Sequence, residues 1–137
     1  NIRPVWKEAY RVLRPGGELL AGFCNPLIFL FEEGLGPDDA LVVKYPIPYS
    51  DLKSLTKEQR QEVDAKQEAL CFGHTLKDQI GGQLEAGFLL KGFFEDDWGP
   101  DSEEPLCKYI KGVAATRAVK PPLLAVHEIE HAVELGD

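Results

Sequence analysis

The pentapeptide His127-Glu128-Ile129-Glu130-His131 has H-E-x-x-H spacing. On a helix, that spacing sets two imidazoles on one face, where they can grip a zinc ion while the glutamate activates water. Such chemistry is hydrolytic, so a zinc-dependent metallohydrolase with His127 and His131 as metal ligands is one reading. The surroundings weigh against it. Glycine is common where Glu130 stands, and the extended form of the motif wants glycine and histidine where this chain has Glu134 and Asp137. A catalytic zinc also needs a third ligand, a second shell and a cleft wall, and too little chain follows His131 to build them. Zinc is therefore not an expected cofactor. The competing expectation is a short amphipathic C-terminal helix, with Val126, Ile129 and Val133 as a partial packing face.

His74 is the other histidine in a chemically useful position, just ahead of the Thr75-x-x-Asp78 helix start. An imidazole there titrates near neutral pH and could serve as general base on a substrate hydroxyl or amine. A histidine that does no more than bond the helix end is the more common case. The acidic run from Glu95 to Glu104 lacks the spacing of a calcium loop and reads as a solvated connection.

Composition narrows the classes. A chain of 137 residues that is 44% hydrophobic can build one core, and a net charge of -8 disfavours nucleic acid and anionic membrane surfaces as partners. No apolar run approaches the roughly 20 residues of a membrane span, and no signal peptide is evident. The chain reads as soluble and cytoplasmic. Cys24, Cys71 and Cys107 are too widely spaced for a metal knuckle and odd in number, so buried reduced thiols are expected. The absence of methionine and the start at Asn1 lead to the expectation of a fragment or processed product.

The elements that must position these groups follow from periodicity. Ile2, Val5, Trp6, Ala9, Tyr10, Val12 and Leu13 have helical spacing, and Arg14-Pro15-Gly16-Gly17 ends that helix in a turn. Glu18–Cys24 reads as a strand buried on both faces. Asn25 to Ser54 is irregular, with a short strand expected at Leu41–Tyr45; such a long loop often serves as a lid. A capping box at Thr56 and Gln59 opens a polar surface helix running to Leu70. A further helix from Thr75 should lay Leu76, Ile80 and Leu84 on a sheet. Inside it Gly81 and Gly82 each cost about 1 kcal/mol relative to alanine, which points to close backbone approach. Phe88–Phe94 and Ile110–Val119 read as an antiparallel strand pair.

The stretch Trp6-Lys7-Glu8-Ala9-Tyr10-Arg11-Val12-Leu13-Arg14-Pro15-Gly16-Gly17-Glu18-Leu19-Leu20 resembles the segment leading into the fifth strand of class I S-adenosylmethionine-dependent methyltransferases, which commonly reads E-x-x-R-V-L-K-P-G-G. The order of elements that follows is also similar, so the resemblance covers roughly residues 1–120, with 121–137 as a helical tail. It implies an α/β fold, the C-terminal half of a Rossmann-like methyltransferase sheet ending in an antiparallel strand pair. The implied parent transfers a methyl group from S-adenosylmethionine to a small-molecule acceptor. The family's glycine-rich cofactor turn has no counterpart in this chain, so no cofactor-binding residue is assigned and the chain alone is expected to be inactive. Ligands of open α/β sheets sit outside the strand carboxyl ends. On that basis Asn25 is the candidate substrate-orienting group, with Phe29 and Tyr45 walling off water. A non-catalytic, oligomerising or partner-binding module, pairing through an open sheet edge, is the remaining alternative.

Overall fold

The computed structural model describes residues 1–32, 35–36, 38–99 and 105–122. The motif at His127–His131, with the rest of the C-terminal tail, lies outside the described residues. Helix α1, Arg3–Val12, begins with proline in its first turn, where the missing N–H costs nothing. Trp6 is buried, Ala9, Tyr10 and Leu13 are half-buried on the same stripe, and Val5 and Val12 point to solvent. The helix stops at a turn in which Gly16 takes φ of +77°. A β-carbon on Gly17 would lie 2.8 Å from the Arg14 carbonyl oxygen. Both glycines are thus required by the turn itself.

Strand β1, Glu18–Cys24, forms over the expected residues. Strands β2, Leu89–Asp96, and β3, Val113–Val119, are likewise near their expected places. Glu95 and Asp96 belong to β2, so the acidic connection starts later than the sequence implied. The sheet order is β1-β3-β2 with both ladders antiparallel. The last strand therefore inserts between two strands that run parallel to each other. This topology produces the expected antiparallel pair and also ties β1 to it.

Among the described residues only one face of the sheet is covered. Ala114, Thr116 and Ala118 of β3 and Ala21 of β1 are buried beneath the helices, whereas Leu20 on the opposite face is 76% exposed. The expectation that β1 is buried on both faces is thus corrected: its apolar residues alternate between a covered and an open side. The three cysteines are half-buried rather than buried, and none is in a disulfide.

The covering layer is α1 and a helical segment that starts as a π-turn, Lys77–Gly81, and continues as α2, Gly82–Glu85. Thr75 caps its start, exchanging hydrogen bonds with Asp78. The face laid on the sheet is not Leu76, Ile80 and Leu84, as periodicity predicts; Leu76 and Leu84 are about half exposed. Gln79, Gly82 and Gln83 face inward instead. Two contacts enforce this. The Thr116 hydroxyl donates to Gln83 Oε1 at 2.8 Å, and Gly82 lies so close to Trp6 that a β-carbon would sit 2.6 Å from Trp6 Cδ1. The π-turn admits an extra residue per turn and so shifts which side chains follow the inner stripe. Of the two glycines, Gly82 is the one that close approach demands.

The connection between β1 and this layer carries a 3-10 turn, Pro26–Leu30, then the short helix α3, Asp51–Ser54, and α4, Lys57–Lys66. Both halves of the Thr56–Gln59 capping box are formed. Helix α4 buries nothing and ends at Gln67 in the left-handed region, three residues before the expected Leu70. Leu41–Tyr45 makes no strand, because its neighbours offer no ladder; Lys44 and Tyr45 donate their N–H groups to the Leu30 carbonyl instead.

Replacing Gly82 with alanine forces Trp6 out of its place. We expect a loss of about 1–3 kcal/mol, read as a lower denaturant midpoint at unchanged slope, whereas Gly81→Ala, with only Lys77 Cγ nearby at 3.8 Å, is tolerated.

Candidate functional site

The carboxyl end of β1 opens onto the connecting loop, and Asn25 stands at the junction with 8% of its surface exposed. Its carbonyl oxygen accepts from Leu27 N–H at 3.2 Å, capping the 3-10 turn, and its amide nitrogen donates to the Lys111 carbonyl at 3.1 Å. The backbone N–H of Asn25 reaches the Gly112 carbonyl at 2.9 Å. Asn25 thereby clamps the loop's first turn to the entrance of β3. One amide hydrogen and one carbonyl lone pair remain for other partners.

That turn carries Phe29 into an aromatic cluster. Phe29 stacks on Tyr49 with centroids 5.4 Å apart, and Tyr45 meets Tyr49 edge-on at 5.3 Å. Phe29 packs so tightly on Gly73 that a β-carbon there would fall 2.6 Å from Phe29 Cδ2. Tyr49 and Gly73 exchange backbone hydrogen bonds of 2.8 and 3.1 Å. His74, next in the chain, is thus held beside the cluster. Phe29 and Tyr45 both pack on Tyr49, and His74 follows Gly73 at the far end of the loop.

Beneath the rings lies a group that sequence reasoning missed. The Tyr49 hydroxyl donates to Asp51 Oδ1 at 2.7 Å, and the Cys71 N–H donates to Asp51 Oδ2 at 2.6 Å. Asp51 is 4% exposed. An aspartate at the first turn of a helix ordinarily reads as a surface group near the dipole, so nothing in its immediate sequence marks it as buried. Tyr45, Tyr49 and Asp51 line a cleft of about 430 Å³ walled on its other side by Gln59, Glu62 and Val63 of α4.

A second cleft of about 490 Å³ lies on the open sheet face and is lined by Gly22, Cys24, Phe94, Trp98 and Ala115. Burial pushes the Cys24 thiol up from its ordinary value, which keeps it protonated and makes it a packing group rather than a nucleophile. For His74, burial lowers the imidazole pKa against the opposing carboxylate of Asp78. Among the described residues no three of histidine, cysteine, aspartate and glutamate gather to hold a metal ion, and no helix is long and apolar enough to cross a membrane.

Comparison with known proteins now bears on this geometry. No protein-family model matches the chain. It is 48% identical over 120 residues to an uncharacterized methyltransferase of Bacillus subtilis (strain 168), YbaJ, a match that takes in 88% of the chain and 46% of that relative. The fold is that of half a methyltransferase domain. Among solved structures it superposes on a proposed S-adenosylmethionine-dependent methyltransferase from Listeria monocytogenes, with TM-score 0.60 and 15% identity. It also superposes on an S-adenosylmethionine-dependent methyltransferase from Mesorhizobium loti, with TM-score 0.52 and 12% identity. These matches cover 88% and 87% of the chain and 55% of each of those structures. The chain thus spans about half the length of the relatives it matches. The methyltransferase resemblance seen in residues 6–20 holds across most of the chain.

Two outcomes follow from the site's geometry. Asn25→Ala removes the part-buried hydrogen bonds to the Leu27 N–H and the Lys111 carbonyl, and should cost about 1–3 kcal/mol of stability in denaturant unfolding. The lowered His74 pKa means that the folded state binds fewer protons than the unfolded one just below the ordinary histidine value. Stability should therefore be fully present above about pH 6.5 and decline as pH falls toward the depressed value. His74→Gln should flatten that slope, and the His74 ring proton should titrate below an exposed histidine in NMR.

Proposed function

We propose that this chain supplies the acceptor-binding half of an S-adenosylmethionine-dependent methyltransferase that acts on a small molecule. The observation that carries the reading is the 48% identity to a methyltransferase over 120 residues, with the aromatic cleft at the carboxyl end of β1 as its structural counterpart.

The described residues do not make a cradle for the methyl donor. Gly16 and Gly17 sit at the amino end of β1, bonded to Lys120, and Gly82 is consumed by contact with Trp6. Neither glycine pair stands at a strand's carboxyl end, where a sulfonium donor's methionine part would meet backbone N–H groups. The donor site is assigned to the part of the relatives that this chain does not span.

This chain's own residues serve the acceptor. Asn25 orients it through its remaining amide hydrogen and lone pair, Phe29 and Tyr45 exclude water, and His74 takes the proton that the acceptor releases. Its lowered pKa keeps the His74 imidazole neutral near pH 7, the form a general base requires. Methyl transfer asks mainly for alignment and desolvation, which fits a site built from rings and one amide. A cytoplasmic setting accords with this reading.

The test is S-adenosylmethionine binding by calorimetry and methyl transfer to a panel of small acceptors. A protein extended at its amino end to the full length of the relatives should bind the donor and turn over, and the 137-residue chain should do neither. Failure of the extended protein to bind the donor would overturn the reading.

A further inference from the structure

We infer that the cleft between the aromatic cluster and α4 is a binding site for a positively charged amine group, primary or quaternary. That this group belongs to the methyl acceptor rests on the methyltransferase reading; the site itself does not.

Tyr45 and Tyr49 both line the cleft and meet at 65° with centroids 5.3 Å apart, and each ring carries electron-rich π-faces. Such faces attract cations electrostatically, most strongly where water is excluded. At their base the Asp51 carboxylate is anchored through both oxygens, by the Tyr49 hydroxyl and the Cys71 N–H, so its position is set before any ligand arrives. Around the opening stand Glu32, Glu62 and Glu68 with Lys66; Glu32 is paired with Lys44 at the rim, so the carboxylates of the cleft, Asp51 included, still outnumber its cations. The field in the cleft is therefore negative, which rejects carboxylates and phosphates. A volume of about 430 Å³ suits a small molecule.

A second observation shows the chemistry in use. The Lys44 ammonium lies 5.6 Å from the Tyr45 ring centroid and forms an ion pair with Glu32. Two residues of this same cleft thus already hold an ammonium at its rim. An incoming amine would repeat that arrangement deeper, with Tyr49 and Asp51 in the places of Tyr45 and Glu32.

The experiment compares choline with 3,3-dimethylbutan-1-ol, which has the same shape without the charge, in the full-length protein without methyl donor. Binding is followed by NMR shifts of the Tyr45 and Tyr49 rings and by calorimetry. Choline should saturate both ring shifts and bind about threefold to thirtyfold more tightly than its neutral counterpart. The exposed pair E62Q/E68Q, which leaves the fold untouched, should weaken choline several-fold and leave the alcohol unchanged. Tyr45→Leu should abolish the preference, and Tyr45→Phe should keep it. Equal binding of the two probes, no saturable shift with choline, or full choline affinity in E62Q/E68Q would each overturn the inference. Because no donor is present, the result is independent of whether the protein binds S-adenosylmethionine.

Discussion

The helix-on-sheet layer depends on a polar contact in its centre, the hydrogen bond from the Thr116 hydroxyl to Gln83. Gln83 is fully buried and Thr116 is 1% exposed, so each would carry a heavy desolvation penalty alone. Paired, they fix the helical segment's rotation, because only one rotation presents a glutamine to the middle strand. That rotation places Gly82 under Trp6 and leaves Leu76 and Leu84 outside. It also sets the start of the segment against the start of α1, where Arg3 pairs with Asp78 and the Trp6 indole N–H donates to the Asp78 carbonyl. Gln79 and Gln83 retain an unpaired oxygen and nitrogen respectively. The interface is thus selected for geometry at some expense in hydrogen bonding.

A second clamp sets the other end of the layer. Lys120, just past β3, donates 2.8 Å hydrogen bonds to the Tyr10 and Leu13 carbonyls at the end of α1, and its ammonium lies 4.5 Å from the Tyr10 ring centroid. These carbonyls have no partner within the helix, and a cation there also meets the negative end of the helix dipole. Tyr10 in turn packs edge-on against Phe88, 2% exposed. The turn at Gly16 and Gly17 exchanges backbone hydrogen bonds with Lys120. One lysine therefore connects the end of the last strand to both the helix and the turn that begins the first.

This division explains what was legible in the sequence. The three sheet strands, the Pro-Gly-Gly turn and the capping box are local: each is encoded within a few residues and formed at or near its expected place, whereas Leu41–Tyr45, without a ladder partner, formed no strand. The inner face of the segment 77–85 was not legible, because a leucine stripe at i, i+4 and i+8 is the normal signature of burial and two glutamines are the normal signature of solvent. The π-turn and a partner 33 residues away reversed both. The second failure, β1 on an open face, has the same origin. An apolar run reports what a strand is built to contact, and among the described residues only one side of that run meets a partner.

The candidate site was partly legible for a related reason. Asn25, Phe29 and Tyr45 could be picked out because they follow a strand end, and His74 because it precedes a helix. Tyr49 and Asp51 could not, since their importance arises when residues 49–51 pair with 71–73 across the loop. That pairing makes the loop a structure in its own right, held by ring stacking and a buried carboxylate rather than by the sheet. The sheet contributes one point of attachment, Asn25, and leaves the cleft's shape to the loop and α4. A pocket built this way can change its ligand by substitutions in the loop without disturbing Gln83, Thr116 or Lys120. Among the described residues the contacts that shape the cleft and those that hold the helices on the sheet are therefore largely separate sets, joined through the Asn25 amide.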